Sequence, residues 1–137
     1  MLMADFVTAV KYKLPIKVVI IKNNYLAQIK WEQMIFLGNP EFGVDLQPID
    51  FAAYAQACGG TGITLEDAKL AGDAVDRFLN TPGPAILQAV VDPLEAPMPP
   101  RATAEQAMHF AESLARGTQD ATKIAKTIFK DKVRELI

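Results

Sequence analysis

VVIIKNNYLAQIKWEQ, residues 18–33, sets a run of branched apolar residues against two asparagines and then a run of helix formers. Residues 16–21, IKVVII, are β-branched with only Lys17 interrupting, the composition of a strand buried on both faces of a parallel sheet. Leu26 to Gly38, LAQIKWEQMIFLG, has the helix formers and terminal glycine of a helix. The asparagines therefore mark a tight strand-to-helix turn. Asn suits such a turn because it tolerates left-handed geometry and bonds its own backbone.

The same alternation extends along the chain. Leu14-Pro15 ends an opening helix in MLMADFVTAVKYK. NPEFGVDLQP is a loop. Asp50 is placed to cap a helix whose Phe51, Tyr54, Ala55 and Cys58 share one face, closed by Gly59-Gly60. TGITL (residues 61–65) reads as a short strand, Ala68, Ala71, Val75, Phe78 and Leu79 as the inward stripe of a helix, and AILQAVV (residues 85–91) as a second buried strand. The proline-rich DPLEAPMPP leads to two tail helices, residues 103–116 and 118–136. Alternating helices and apolar strands predict an α/β fold with a mostly parallel sheet flanked by helices. The sequence divides at residue 100, with the helical tail of residues 101–137 packed on the layer fold before it.

Composition narrows the function classes. A length of 137 residues, half of them hydrophobic, supports one core. A net charge of -2 gives no reason to expect nucleic-acid binding, which relies on dense Lys and Arg. Cys58, the single cysteine, excludes an internal disulfide and fits a reducing, cytoplasmic setting. No apolar run is long enough to span a membrane, and the first residues lack the pattern of a secretory signal.

In parallel sheets, ligands bind beyond the carboxyl ends of the strands. Asn23 and Asn24 fall there, and an Asn oxygen is a hard, neutral ligand for Mg²⁺ or Ca²⁺. A plain turn explains the same two residues. GGTG, residues 59–62, follows a helix and precedes a strand, the reverse of a phosphate loop, and reads as a helix C-cap. His109 has no second ligand residue at metal spacing, Cys58 reads as core, and Trp31 fits either the underside of the helix or a subunit contact.

MLMADFVTAVKYKLPIKVVIIKNNYLAQIKWEQ, FAAYAQACGGTGI, PGPAILQAVVD and PMPPRATAEQAMHFA together resemble the C-terminal, diphosphate-binding domain of thiamine-diphosphate-dependent enzymes, most closely the pyruvate oxidase and quinone-linked pyruvate dehydrogenase branch. The resemblance covers nearly the whole chain. It implies the thiamine-diphosphate-binding fold, truncated at its N-terminal side, because the family's Gly-Asp-Gly strand would stand just before Met1. It also implies thiamine diphosphate held through Mg²⁺. By register the metal-liganding side chain is Asn23, with Lys22 at the family's first Asn position, and the Tyr25 backbone carbonyl is the second metal ligand. Asn24, Leu26, Ala27 and Gln28 complete the cofactor-binding stretch, with Ala27 replacing a usual glycine and Gln28 a usual large apolar residue. Glu32 matches a family glutamate beside the substrate, where partial burial would suit it to proton transfer; pairing with Lys30 or solvent is the plain alternative.

The activity so implied is decarboxylation of pyruvate or a related 2-oxo acid, oxidative in this branch, with acetolactate-synthase-type carboligation as the alternative. Flavin, where used, would bind in a domain outside this chain. The resemblance implies a homo-oligomer, and an unpaired sheet edge implies that the isolated chain self-associates and is inactive. The last helix, with Ala121, Ile124, Ala125, Ile128 and Phe129 on one face and basic flanks, fits packing on its own sheet or peripheral contact with an anionic membrane.

Overall fold

A computed structural model describes residues 3–95 and 103–135. Helix α1 (Asp5–Lys11) leads to strand β1 (Lys17–Lys22) and helix α2 (Ala27–Ile35). Helix α3 (Phe51–Ala57), strand β2 (Thr61–Leu65), a short 3-10 turn (Ala68–Leu70), helix α4 (Ala71–Asn80) and strand β3 (Ala85–Val90) follow. Helices α5 (Ala104–Ala115) and α6 (Ala121–Glu135) close the chain. Leu2 and most of the proline-rich crossing lie outside the described residues. By contacts the chain forms two interleaved compact units, Met1–Asn23 with Pro48–Val91 and Asn24–Gln47 with Asp92–Ile137. Segment Asn24–Gln47 thus groups with the tail helices, a division drawn differently from one at residue 100.

The first unit is the α/β layer. Its three strands are parallel in the order β1-β3-β2, with Lys17 and Thr61 both in register with Ala85. β3 lies between two partners and hides Ala85 to Gln88. On one face Ile63, Ala85, Leu87 and Phe78 of α4 form a core cluster; on the other, Ile86 packs with Phe6 of α1 and Ala55 of α3. Asp50 caps α3 by accepting from the Ala53 amide at 2.9 Å, as its position before an apolar stripe predicts. Gly59, at φ +86, turns the chain out of α3 in the left-handed region, so GGTG ends a helix. Gly62 answers a different need: a Cβ there would stand 2.0 Å from the Ala52 carbonyl oxygen, so only glycine lets α3 lie this close to β2.

Two expectations need correction here. β1 is not covered on both faces: Val18 and Ile20 join the cluster with α1 and α3, but Val19 is 54 % and Ile21 63 % exposed. Val19 shares its face with Leu87 and Ile63, and α4 packs over β2 and β3 on that face, leaving β1 uncovered at the edge. The α4 stripe is also narrower than read. Phe78 is buried with Ala71 and Ala74 half-buried behind it, while Val75 and Leu79 fall on the exposed flank.

The second unit is helical. Trp31, Met34 and Ile35 of α2 meet Ile124 of α6 in one cluster, with Phe110 and Leu114 of α5 against it. The inward face of α5 carries Phe110, Ser113 and Leu114, while Ala104, Ala107, Met108 and Ala111 are exposed. Ser113 is tolerated there because its hydroxyl donates to the Phe110 carbonyl at 2.8 Å. Thr103 and Gln106 form a capping box at the start of α5. Arg116, after its end, donates to the Gly38 carbonyl at 3.0 Å beyond α2.

Candidate functional site

Asn23 directly follows β1, at the carboxyl end of the parallel sheet, and is half-buried. β1 and β3 hold each other up to that point, with the Val91 amide donating to the Lys22 carbonyl at 3.1 Å. The next residue, Asn24, has φ +58. A non-glycine residue in that region carries a cost of roughly 1–2 kcal/mol, which Asn bears most readily. The turn signal in the two asparagines therefore lives at position 24, and the chain leaves it in a new direction.

A two-residue strap follows within the second unit. The Leu46 amide donates to the Asn24 carbonyl and the Leu26 amide to the Val44 carbonyl, each at 2.9 Å, making an isolated antiparallel bridge between Tyr25 and Asp45. In such a bridge the hydrogen bonds belong to the flanking residues, so the amide and carbonyl of Tyr25 itself are directed to the opposite side of its segment from the Asp45 strand. Val44, 1 % exposed, anchors the strap.

Helix α2 begins at once. Its N-cap residue, Leu26, makes no side-chain cap, and its first turn holds no acidic residue, so no carboxylate of its own opposes the positive end of the helix. Leu26 is exposed, Ala27 packs against the Trp31 cluster, and Gln28 is exposed. Gln28 donates to Glu32 at 2.9 Å one turn later. Glu32 is exposed, so the partial burial expected of a proton-transferring carboxylate is not supplied by the described residues.

The largest departure from the sequence reading lies between these positions. Lys30 points inward and is 1 % exposed. Its ammonium lies 3.5 Å from Glu41 Oε1, 4.5 Å from the centre of the Tyr25 ring and 5.8 Å from that of Trp31. Lys30 therefore pairs with Glu41 and not with Glu32, which is exposed to solvent as the plain alternative has it. Glu41 Oε2 and Trp31 Nε1 are buried with no hydrogen-bond partner among the described residues. The Tyr25 phenol is pushed above its ordinary value, first by burial and then by the charge and hydrogen bond of Asp45, with Asp120 and Glu41 adding to the effect.

Trp31 is core, stacked obliquely near Phe110 at 6.4 Å between ring centres. Cys58 lies half-buried beside the Phe6 and Ala55 cluster. His109 has no companions: among the described residues no group of three His, Cys, Asp or Glu could hold a metal. The donors that this chain's own Asn23 and Tyr25 would offer to an ion at the β1 end are neutral oxygens. The Asn23 carboxamide and Tyr25 carbonyl, two residues apart in the chain, are donors of the type Mg²⁺ takes when phosphate and water fill its remaining positions. An end of α2 free of side-chain caps is compatible with the phosphate. The donor chemistry present thus fits a metal-bound diphosphate. Among the described residues no helix is long and apolar enough to cross a membrane.

Residues 1–89 match the family described as thiamine pyrophosphate enzyme, C-terminal TPP binding domain. A putative thiamine pyrophosphate-containing protein, YdaP of Bacillus subtilis (strain 168), is 34 % identical over 136 residues, which is 99 % of this chain and 23 % of that protein. The chloroplastic acetolactate synthase 2 of Nicotiana tabacum is 27 % identical over 63 % of this chain and 14 % of its own length. An acetolactate synthase of Bacillus subtilis (strain 168) is 29 % identical over 62 % of this chain and 15 % of its own length. The chain spans less than a quarter of the length of each. None of these three carries the name of a pyruvate oxidase.

Proposed function

We propose, from the premise that this chain belongs to the thiamine pyrophosphate enzymes as their C-terminal TPP binding domain, that it holds the metal-bound diphosphate of an enzyme that decarboxylates pyruvate or a related 2-oxo acid. The observation that carries this reading is the position of Asn23 at the carboxyl end of β1, followed at once by the strapped turn and a helix without a side-chain cap. The Asn23 side-chain oxygen and the Tyr25 carbonyl would hold Mg²⁺. Backbone from Asn24 to Gln28 would line the phosphates.

Bound there, thiamine diphosphate would supply the nucleophilic carbon and the electron sink that decarboxylation of a 2-oxo acid needs. The residues of this chain do the holding. They would fix the diphosphate end and so limit the positions open to the rest of the cofactor. Glu32, with Gln28 donating to it, is a carboxylate able to hold or release a proton near the substrate once other parts of the protein cover it.

Two fates would share that decarboxylation, oxidation as in the pyruvate oxidase branch and carboligation with a second 2-oxo acid as in acetolactate synthases, and would diverge only after CO₂ has left. The acetolactate synthases among the relatives support the second fate; the resemblance of the quoted motifs to the pyruvate oxidase branch supports the first. Product analysis of the native full-length protein separates them: acetate or acetyl phosphate for oxidation, acetolactate for carboligation. The uncovered Val19 and Ile21 face of β1 supports self-association of the isolated chain, which sedimentation would register as a species of at least twice the monomer mass. Peripheral membrane contact through α6 is tested by liposome co-sedimentation at low salt; Ile124 of that helix is buried beside Trp31 and Met34.

A further inference from the structure

A lysine placed on a helix for stability belongs at the surface, where its ammonium keeps its water. Lys30 instead gives up its water, and so does Glu41: their side chains are 2 % and 7 % exposed. Desolvating two ions costs several kcal/mol each, and their attraction returns this only when the remaining polar atoms are also satisfied. Here they are not, since Glu41 Oε2 has no partner among the described residues. An apolar pair of the same size would serve the helix equally well. The pair does one thing an apolar pair would not: its cation rests against the face of the Tyr25 ring, 4.5 Å from the centre, a geometry attractive through the ring quadrupole.

Tyr25 is thereby held from two directions. Its backbone is strapped to residues 44–46 through its neighbours, and its side chain is gripped by a buried cation anchored on Glu41. The preceding Asn24 sits in a backbone region of small population, from which an ungripped turn would relax. Both grips lie within the second unit.

We infer that Lys30 and Glu41 are positioning residues: the buried ion pair clamps the Tyr25 ring and so holds the Tyr25 backbone carbonyl in the one orientation in which it ligates the metal. This rests on the reading of Asn23 and Tyr25 as metal ligands. The pair touches neither metal nor substrate and acts through Tyr25 alone. Supporting groups one step removed from a ligand tune metal affinity rather than abolish it.

The test uses the native full-length protein with thiamine diphosphate and Mn²⁺, whose binding is read directly by electron paramagnetic resonance. The double variant Lys30→Met/Glu41→Gln removes both charges together, so neither is left buried alone. Its Mn²⁺ Kd should rise about 10-fold, the range seen for groups that orient a metal ligand, and the KM for the metal should rise with it. A Kd within roughly twofold of the unmodified protein, even with a lowered melting temperature, would overturn the inference, because a merely structural pair moves Tm and not metal affinity. Tyr25→Leu keeps the carbonyl and the ion pair but removes the gripped ring; it carries the same expectation if the double variant does not fold. Asn23→Ala separates the two claims. Loss of Mn²⁺ binding in Asn23→Ala with an unchanged Kd in the other variants defeats the clamp alone, whereas unchanged binding in Asn23→Ala defeats the ligand assignment and the clamp with it.

Discussion

Two buried polar side chains, one in each unit, are treated in opposite ways. Gln88 of β3 is 3 % exposed and satisfied on every side. It accepts from the Phe51 amide at 2.9 Å and donates to Thr64 Oγ1 at 2.9 Å and Asp50 Oδ1 at 3.2 Å, tying the start of α3 to two strands. Lys30 of α2 is buried more deeply, carries a full charge, and leaves one oxygen of its partner Glu41 without a hydrogen bond among the described residues. A neutral, fully paired amide is how a fold spends polarity to specify packing. A charged, incompletely paired couple beside the candidate ligand segment contributes little to stability that apolar residues would not. The first unit is therefore a scaffold that ends at Asn23, and the second holds the strap and the grip on Tyr25.

That contrast breaks most visibly if one charge of the couple is removed. Lys30→Met should lower the unfolding free energy by about 3–5 kcal/mol, because Glu41 is left buried without its counter-ion. Adding Glu41→Gln should restore most of that loss, bringing the double variant to within about 1 kcal/mol of the parent in a denaturant titration. A double variant as unstable as the single one would show that the couple is structural after all. Gln88→Leu comes next. It strands the Phe51 amide and the Thr64 hydroxyl, and should cost about 2 kcal/mol with no rescue from a second substitution. The smallest effect is the titration of Tyr25. Its phenol is held neutral above the ordinary value of 10.0, so the fold binds that proton more tightly than the unfolded chain does. Stability from this group is fully present below pH 10 and is lost as pH rises from there through the higher folded value. Asp45→Asn should shift the tyrosinate absorbance transition of this residue downward, since it removes a charge that raises it.

The strands, their parallel order and the location of Asn23 follow from patterns that are local in sequence. β-branched runs set the strands, proline and glycine set their ends, and the strand-to-helix order sends Asn23 to the carboxyl edge. What the sequence did not disclose depends on partners distant in the chain. The apolar run of β1 reads the same whether its second face is covered or not, so the exposure of Val19 and Ile21 was hidden. On α5, Ala104, Ala107, Met108 and Ala111 lie at helical spacing just as Phe110, Ser113 and Leu114 do. Only the position of Trp31 decides between them. Lys30 stands in IKWEQ with a carboxylate two residues on, the look of a solvated helix face. Nothing local joins it to Glu41, beyond the end of α2 in a loop that folds back. The resemblance marks residues 23–28 as the candidate cofactor stretch, but nothing in it points to the buried pair Lys30 and Glu41.

In the proposed site the metal-bound diphosphate depends on the carboxamide of Asn23. Calorimetric titration of thiamine diphosphate into the native full-length protein, with and without Mg²⁺, tests it most directly. The unmodified protein should bind in a strictly metal-dependent manner, and Asn23→Ala should lose about 10-fold or more in affinity, as expected when a ligand of a hard cation is removed. Equal, metal-dependent affinity in Asn23→Ala and the unmodified protein would contradict the assignment.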